Sequence, residues 1–152
     1  MIVPYDEALR MVEPEFRALG FSLSSDSAYG ARFSLGSVAV ELSTERYYQP
    51  SISTTFIDSR GKRFHLGMLE EIIDPELSAK HQAQFDDLSL DDVRQSTEDE
   101  QMQYALIAFR AAVELFSKHA ERILHEPQSY EPQYAKLESS LLAALSAPRG
   151  AT

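Results

Sequence analysis

An α+β fold is what this sequence predicts, on three observations. Helical periodicity is confined to the two ends of the chain. Strand-like alternation fills the stretch between them, and the connections there are too short for crossover helices. The expected order is an N-terminal helix, an antiparallel meander of four to five strands, then a long helix and a C-terminal helix packed on one sheet face. Residues 1–146 read as a single α+β domain and 147–152 as a flexible tail.

Each element has its own signal. Over residues 4–19, Leu9, Val12, Phe16 and Leu19 recur at helical spacing, and Gly20 is placed to end the helix. Pro14 is expected to kink it or to begin a second short helix. "FSLSS" alternates. "YGARFSLGS" sets Phe33 and Leu35 against Arg32 and Ser34, and "SVAVELS" sets Val38, Val40 and Leu42 inward with Ala39, Glu41 and Ser43 outward. "SISTTFID" and "KRFHLGML" complete the meander. The first puts Ile52, Phe56 and Thr54 inward, with Ser53, Thr55 and Ile57 opposite. In the second Phe64, Leu66 and Met68 share a face, and "DSRG" between the two is a hairpin loop with Gly61 left-handed.

A short helix near Leu69–Ile73 and another near Pro75–Phe85 follow, then a loop. Thr97 with Glu100 forms a capping-box signature for the long helix, which ends near His125, before Pro127. Its apolar positions make two stripes. Met102, Leu106, Phe109, Val113, Phe116, Ala120 and Ile123 form one, and Tyr104, Ile107, Ala111 and Leu115 the other. So wide a face implies burial on two sides, against the sheet and against another helix or a second subunit. "EPQSYEPQY" reads as a semi-rigid connector. The final helix, Pro132–Leu145, carries Tyr134, Leu137, Leu141 and Leu145 on one stripe.

Composition narrows the function classes. The 152 residues carry a formal net charge of −10 and no cysteine, so disulfides and thiolate chemistry are excluded. No leader-like N-terminus and no apolar run of about 20 residues is present, so a cytoplasmic location without a membrane partner is expected. The acidity argues against nucleic acid, whose phosphates call for Lys and Arg, and admits a basic protein partner.

That charge is unevenly distributed. Glu70 to Glu100 holds eleven acids against two bases, −9 in one segment, whereas Ala28 to Leu69 holds five bases and three acids. Within the basic region Arg46, Tyr47 and Tyr48 are residue types enriched at protein interfaces, and by alternation Arg63 and His65 share an outer face where they could contact a partner. The plain alternative is a solvated outer sheet face. In "DDLSLDD" the pairs Asp86–Asp87 and Asp91–Asp92 have three readings: a solvated loop, a patch for a basic partner, or a divalent-cation site.

No nucleotide loop, nucleophile elbow, zinc-binding histidine pair or calcium loop is present. His119 and His125 are six apart on one helix and cannot share a metal. Glu121 and His125 fit an ordinary surface pair, and His81 has no spaced partner. No catalytic residue, cofactor or metal is therefore expected.

The order of elements resembles that of small bacterial immunity-type proteins associated with secreted toxins. The resemblance spans roughly Tyr5 to Leu124. "ALGFSL" closes the first helix, "SVAVELSTERYYQPSIS" is similar to the strand pair with Glu45–Arg46 at its acid–Arg step, and "FHLGMLEEII" to the Leu-rich phrase. Pro50 and the extra helix Pro132–Leu145 depart from that pattern. The resemblance implies a non-catalytic inhibitor, monomeric or homodimeric, that masks a basic toxin domain. A type III secretion chaperone is similar in size, charge and class and stands as the alternative, with a small enzyme or ligand-binding domain as the third reading.

Overall fold

Leu9, Val12 and Phe16, with Tyr5 and Ala8, are buried along one side of helix α1 (Tyr5–Ala18) in the computed structural model, which describes residues 1–45, 52–88 and 96–146. The helix runs uninterrupted through Pro14, so no second short helix begins there. Gly20 ends it at φ +95°. The Phe21 N–H donates to Phe16 C=O (3.0 Å) and the Gly20 N–H to Arg17 C=O (2.9 Å), a Schellman closure that a left-handed glycine permits.

Five antiparallel strands follow in sequential order: β1 (Ser22–Asp26), β2 (Gly30–Leu35), β3 (Val38–Thr44), β4 (Ile52–Ile57) and β5 (Arg63–His65). Register brings Leu23, Phe33, Val40, Phe56 and Phe64 into one row across the sheet. That row faces the helices; burying each Phe stabilises the fold by roughly 2–3 kcal/mol. The outward positions are less polar in practice than alternation implies. Ala39 and Ile57 pair with each other and are both buried.

The β4–β5 loop is pinned by Asp58. Its Oδ1 accepts from the Arg60 and Lys62 N–H groups, both at 2.9 Å, with Gly61 at φ +80°. Strand β5 then stops at His65, and Leu66 begins helix α2 (Leu66–Ile73) instead of continuing the strand to Met68. Leu66, Leu69, Glu70 and Ile73 are the buried positions of this segment, a helical rather than an alternating spacing.

Helix α3 (Pro75–Asp87) starts at Asp74, whose Oδ1 accepts from the Leu77 N–H at 3.1 Å. Helix α4 (Glu98–His125) opens on the capping box. The Glu100 N–H donates to Thr97 Oγ1 (3.1 Å) and the Thr97 N–H to Glu100 Oε1 (3.0 Å). Ala105, Phe109, Ala112, Leu115, Phe116 and Ile123 are buried, drawing on both stripes. Phe116 meets Phe21 and Phe56 edge-on at 5.4 and 5.6 Å. The helix bends at His119, whose backbone (φ −132°, ψ 20°) is non-helical and whose Nε2 lies 2.8 Å from Asp74 Oδ2.

After α4, the stretch expected to be a connector serves as a lock. Pro127–Ser129 forms one 3-10 turn, and Tyr130 and Tyr134 both enter the core. The Tyr130 O–H donates to Ile123 C=O at 2.6 Å, and Tyr134 Oη accepts from the His65 N–H at 2.8 Å. Both rings stand edge-on to Phe64, at 5.6 and 4.9 Å. Helix α5 (Glu131–Ser146) is thereby fixed to the sheet by its first turn, where Tyr134 is its buried residue. The stripe expected to continue inward does not. Leu141, Leu142 and Leu145 are 45%, 59% and 83% exposed. Helices α1 and α3 both pack on α4, and α3 reaches its second stripe through the Phe85–Tyr104 ring contact.

Candidate functional site

The buried ionisable side chains of α2 and α3 meet at His81. It is 4% exposed on α3, with Nδ1 2.8 Å from Glu70 Oε2 and Nε2 3.0 Å from Glu114 Oε2. Helix α2 supplies Glu70, itself 6% exposed, and α4 supplies Glu114. With both carboxylates ionised, both ring nitrogens must donate. With Glu70 protonated, its O–H can donate to Nδ1 instead. Burial raises the Glu70 carboxyl above its ordinary range, against the opposing pull of His81. Glu114 is drawn down to about 2 by hydrogen bonds from Lys80 and His81. The Lys80 ammonium sits 2.7 Å from Glu114 Oε1.

A cavity of about 190 Å³ adjoins the cluster, between the inner side of β4, α2, α3 and α4. Ile52, Leu66, Phe85 and Leu115 form its apolar walls and Ala108, Ala111 and Ala112 of α4 its small-residue side, while Glu70, His81, His65, Thr54 and Tyr104 supply polar atoms. Phe85 and Tyr104 lie ring to ring at 5.0 Å. Two shallower cavities, of about 370 and 290 Å³, also include His81 in their walls. Such a polar pocket is the feature an acid–base enzyme would need. However, both nitrogens of His81 are engaged by carboxylates, so it presents no free lone pair as a base.

The expected site residues are dispersed. Arg63 pairs with Glu41 in mid-sheet, and Glu41 also receives Arg32 Nη2 at 2.8 Å. Burial would raise Glu41, but the two guanidiniums prevail and hold it low. His65 is exposed beside Arg63 on the outer side of β5, as the alternation implies, and its ring lies over Gly67. A Cβ on that glycine would lie 3.2 Å from His65 Cε1. Partial burial of the ring lowers its pKa. Asp86 and Asp87, expected in a loop, form the last turn of α3, where the helix dipole disfavours acids and no basic residue offsets them. Asp86 accepts from Gln82 at 3.0 Å. Arg46, Tyr47, Tyr48, Asp91 and Asp92 lie outside the described residues. Among the described residues, no three His, Asp or Glu groups are placed to hold a metal ion, and no helix is long and apolar enough to cross a membrane.

The His81 cluster went unread in the sequence because its members are eleven and thirty-three residues apart in the chain. The available signal was local. His81 lies four residues after Leu77 and four before Phe85, the spacing of one helix face. Comparison with protein-family models, curated proteins and solved structures gives no match.

Proposed function

We propose that the chain is a non-catalytic protein-binding module, an immunity-type inhibitor that masks a basic toxin domain. The observation carrying this reading is the outer half of α5. Leu141, Leu142 and Leu145 stand 45%, 59% and 83% exposed on a helix fixed at its other end by Tyr134. Leucines gathered in water on one helix end cost solubility unless a partner covers them. The net charge of −10 favours a basic partner, because it speeds encounter and penalises acidic competitors. Asp86 and Asp87, held where the helix dipole opposes them, add to that field.

The test is to co-express the full chain with the C-terminal domain of the protein encoded beside it, scoring growth and recovery of a complex. Protection with a complex is expected, and Leu141→Glu with Leu145→Glu should lose both while leaving the circular-dichroism spectrum unchanged. Absence of protection and of a complex for the unaltered chain would overturn the proposal. So would a purely homodimeric chain whose leucines serve only its own dimer.

A further inference from the structure

The cavity beside Glu70 points to a second binding capacity, independent of the α5 surface. Its wall is mostly apolar: Ile52, Leu66, Phe85 and Leu115, with three alanines of α4 at consecutive or near-consecutive positions where larger side chains would fill the space. Its volume, about 190 Å³, compares with the roughly 150 Å³ dry cavity that accepts benzene in a well-studied case. One ring or a short aliphatic chain fits; a nucleotide or a peptide does not.

The polar end is specified by what is already bonded. Glu70 Oε2 is taken by His81 Nδ1, whereas Oε1 accepts no hydrogen bond from any described residue. With Glu70 ionised, or with its proton on Oε2, Oε1 is an acceptor open to a further donor. The histidine cannot serve a ligand, since Glu114 holds its other nitrogen. Glu70 as a whole is 6% exposed, yet Oε1 is not among the fully buried unpaired atoms, so a ligand donor would replace water at this oxygen.

We infer that this cavity binds a small apolar molecule bearing one hydrogen-bond-donating head, an alcohol or an amine, with the body against Ala108 and Ala111 and the head at Glu70. A carboxylate head is disfavoured by Glu70 itself. The polar residues lining the site are Glu70, His81, His65, Thr54 and Tyr104.

The probes are benzyl alcohol and benzylamine, titrated into the ¹⁵N-labelled full chain at neutral pH and followed by amide chemical shifts. Toluene and benzoate are the controls. Ligands of about eight heavy atoms should bind with dissociation constants on the order of 1 mM. Shift changes should centre on Ala108, Ala111, Ala112 and Leu115. Toluene should bind at least about threefold more weakly, and benzoate more weakly still. Ala108→Leu and Ala111→Leu fill the space and should abolish binding with no loss of thermal stability. Glu70→Gln keeps the acceptor and removes the charge. It should leave benzyl alcohol within about twofold while weakening benzylamine by about fivefold or more.

Three results would each overturn the inference. One is no saturable shift for either probe up to about ten times the expected constant. Another is benzoate binding as tightly as the alcohol. The third is unchanged binding in both leucine variants. None of these depends on the toxin-binding reading, which is tested with α5.

Discussion

Helices α1 and α3 both lie against α4, yet they are held by opposite means. Helix α1 buries Tyr5, Ala8, Leu9, Val12 and Phe16, and its charged side carries simple surface pairs, Arg10 with Asp6 and Arg17 with Glu13. Helix α3 buries only Leu77 and His81. Its remaining anchors are the Asp74 cap, the Lys80–Glu114 ion pair and the Phe85–Tyr104 ring contact. Apolar packing closes the space it occupies, whereas a few directional polar contacts fix a helix without filling what lies between them. Three cavities accordingly share His81 as a wall. The difference teaches where this molecule keeps room for a ligand and where its stability should respond to pH.

The largest effect is expected on the apolar side. Phe16 is fully buried, stacked on Phe33 at 4.2 Å and edge-on to Phe21 at 6.1 Å. Phe16→Ala should cost about 4 kcal/mol in urea unfolding, with little change in that cost between neutral and mildly acidic pH. A loss under about 2 kcal/mol would mean that α1 can collapse onto the gap and that the contrast with α3 is overstated.

On the polar side, His81→Leu leaves Glu70 buried without its hydrogen-bond partner and should cost about 3 kcal/mol at neutral pH. The double variant Glu70→Leu, His81→Leu should recover most of that loss, since the pair is replaced by apolar volume. If the double variant is as unstable as the single one, the cluster contributes more than mutual compensation, and α3 is less loosely held than proposed.

The pH response follows from two carboxylates shifted in opposite directions. Glu114 is held at about 2 from an ordinary 4.5, so the unfolded chain binds its proton first. Its contribution is complete above about 4.5 and is lost as pH falls towards 2. The shift corresponds to at most about 3 kcal/mol, and partial exposure reduces this to about 2. Glu70 is raised, so its effect has the other sign: the folded state favours the proton, and stability falls as pH rises from the ordinary carboxylate range through the raised value. Glu114→Gln should therefore flatten the acid limb of a stability–pH profile by about 2 kcal/mol. An unchanged limb would place the acid sensitivity elsewhere, for instance at Glu41 or Asp58, whose carboxyls are also held low.

How far these features were legible in the sequence depends on the range over which each is encoded. The order of helix, meander, long helix and final helix was readable because alternation and 3.6-residue spacing are local, as were the Thr97–Glu100 capping box and the left-handed Gly61. The end of β5 was not, because "FHLGML" fits either period until Glu70 and Ile73 show which face is buried. Tyr130 looked like a connector residue because Pro127 and Pro132 on either side suggest an exposed, stiff segment, and the target it shares with Tyr134, Phe64, is more than sixty residues away. The leucine stripe of α5 was visible, but a stripe does not say whether its partner lies in the same chain. His81 and its carboxylates were invisible as a group, since only the fold brings α2, α3 and α4 together.

The smallest expected effect sharpens the same comparison from within α1. Tyr5 is fully buried, and its hydroxyl and Thr44 Oγ1 have no hydrogen-bond partner among the described residues. The two hydroxyls influence one another, and Thr44 partly offsets the burial that raises the Tyr5 pKa, but their arrangement falls short of a bond. Helix α1 tolerates this because its apolar area carries it; α3, with so little, has its buried His81 bonded at both nitrogens. Tyr5→Phe removes an unpaired polar group and keeps the ring, so it should be neutral or stabilising by up to about 1 kcal/mol, read as an unchanged or slightly higher melting temperature. A loss of about 1 kcal/mol or more would show that the hydroxyl is bonded in solution and that α1 too depends on a directional contact.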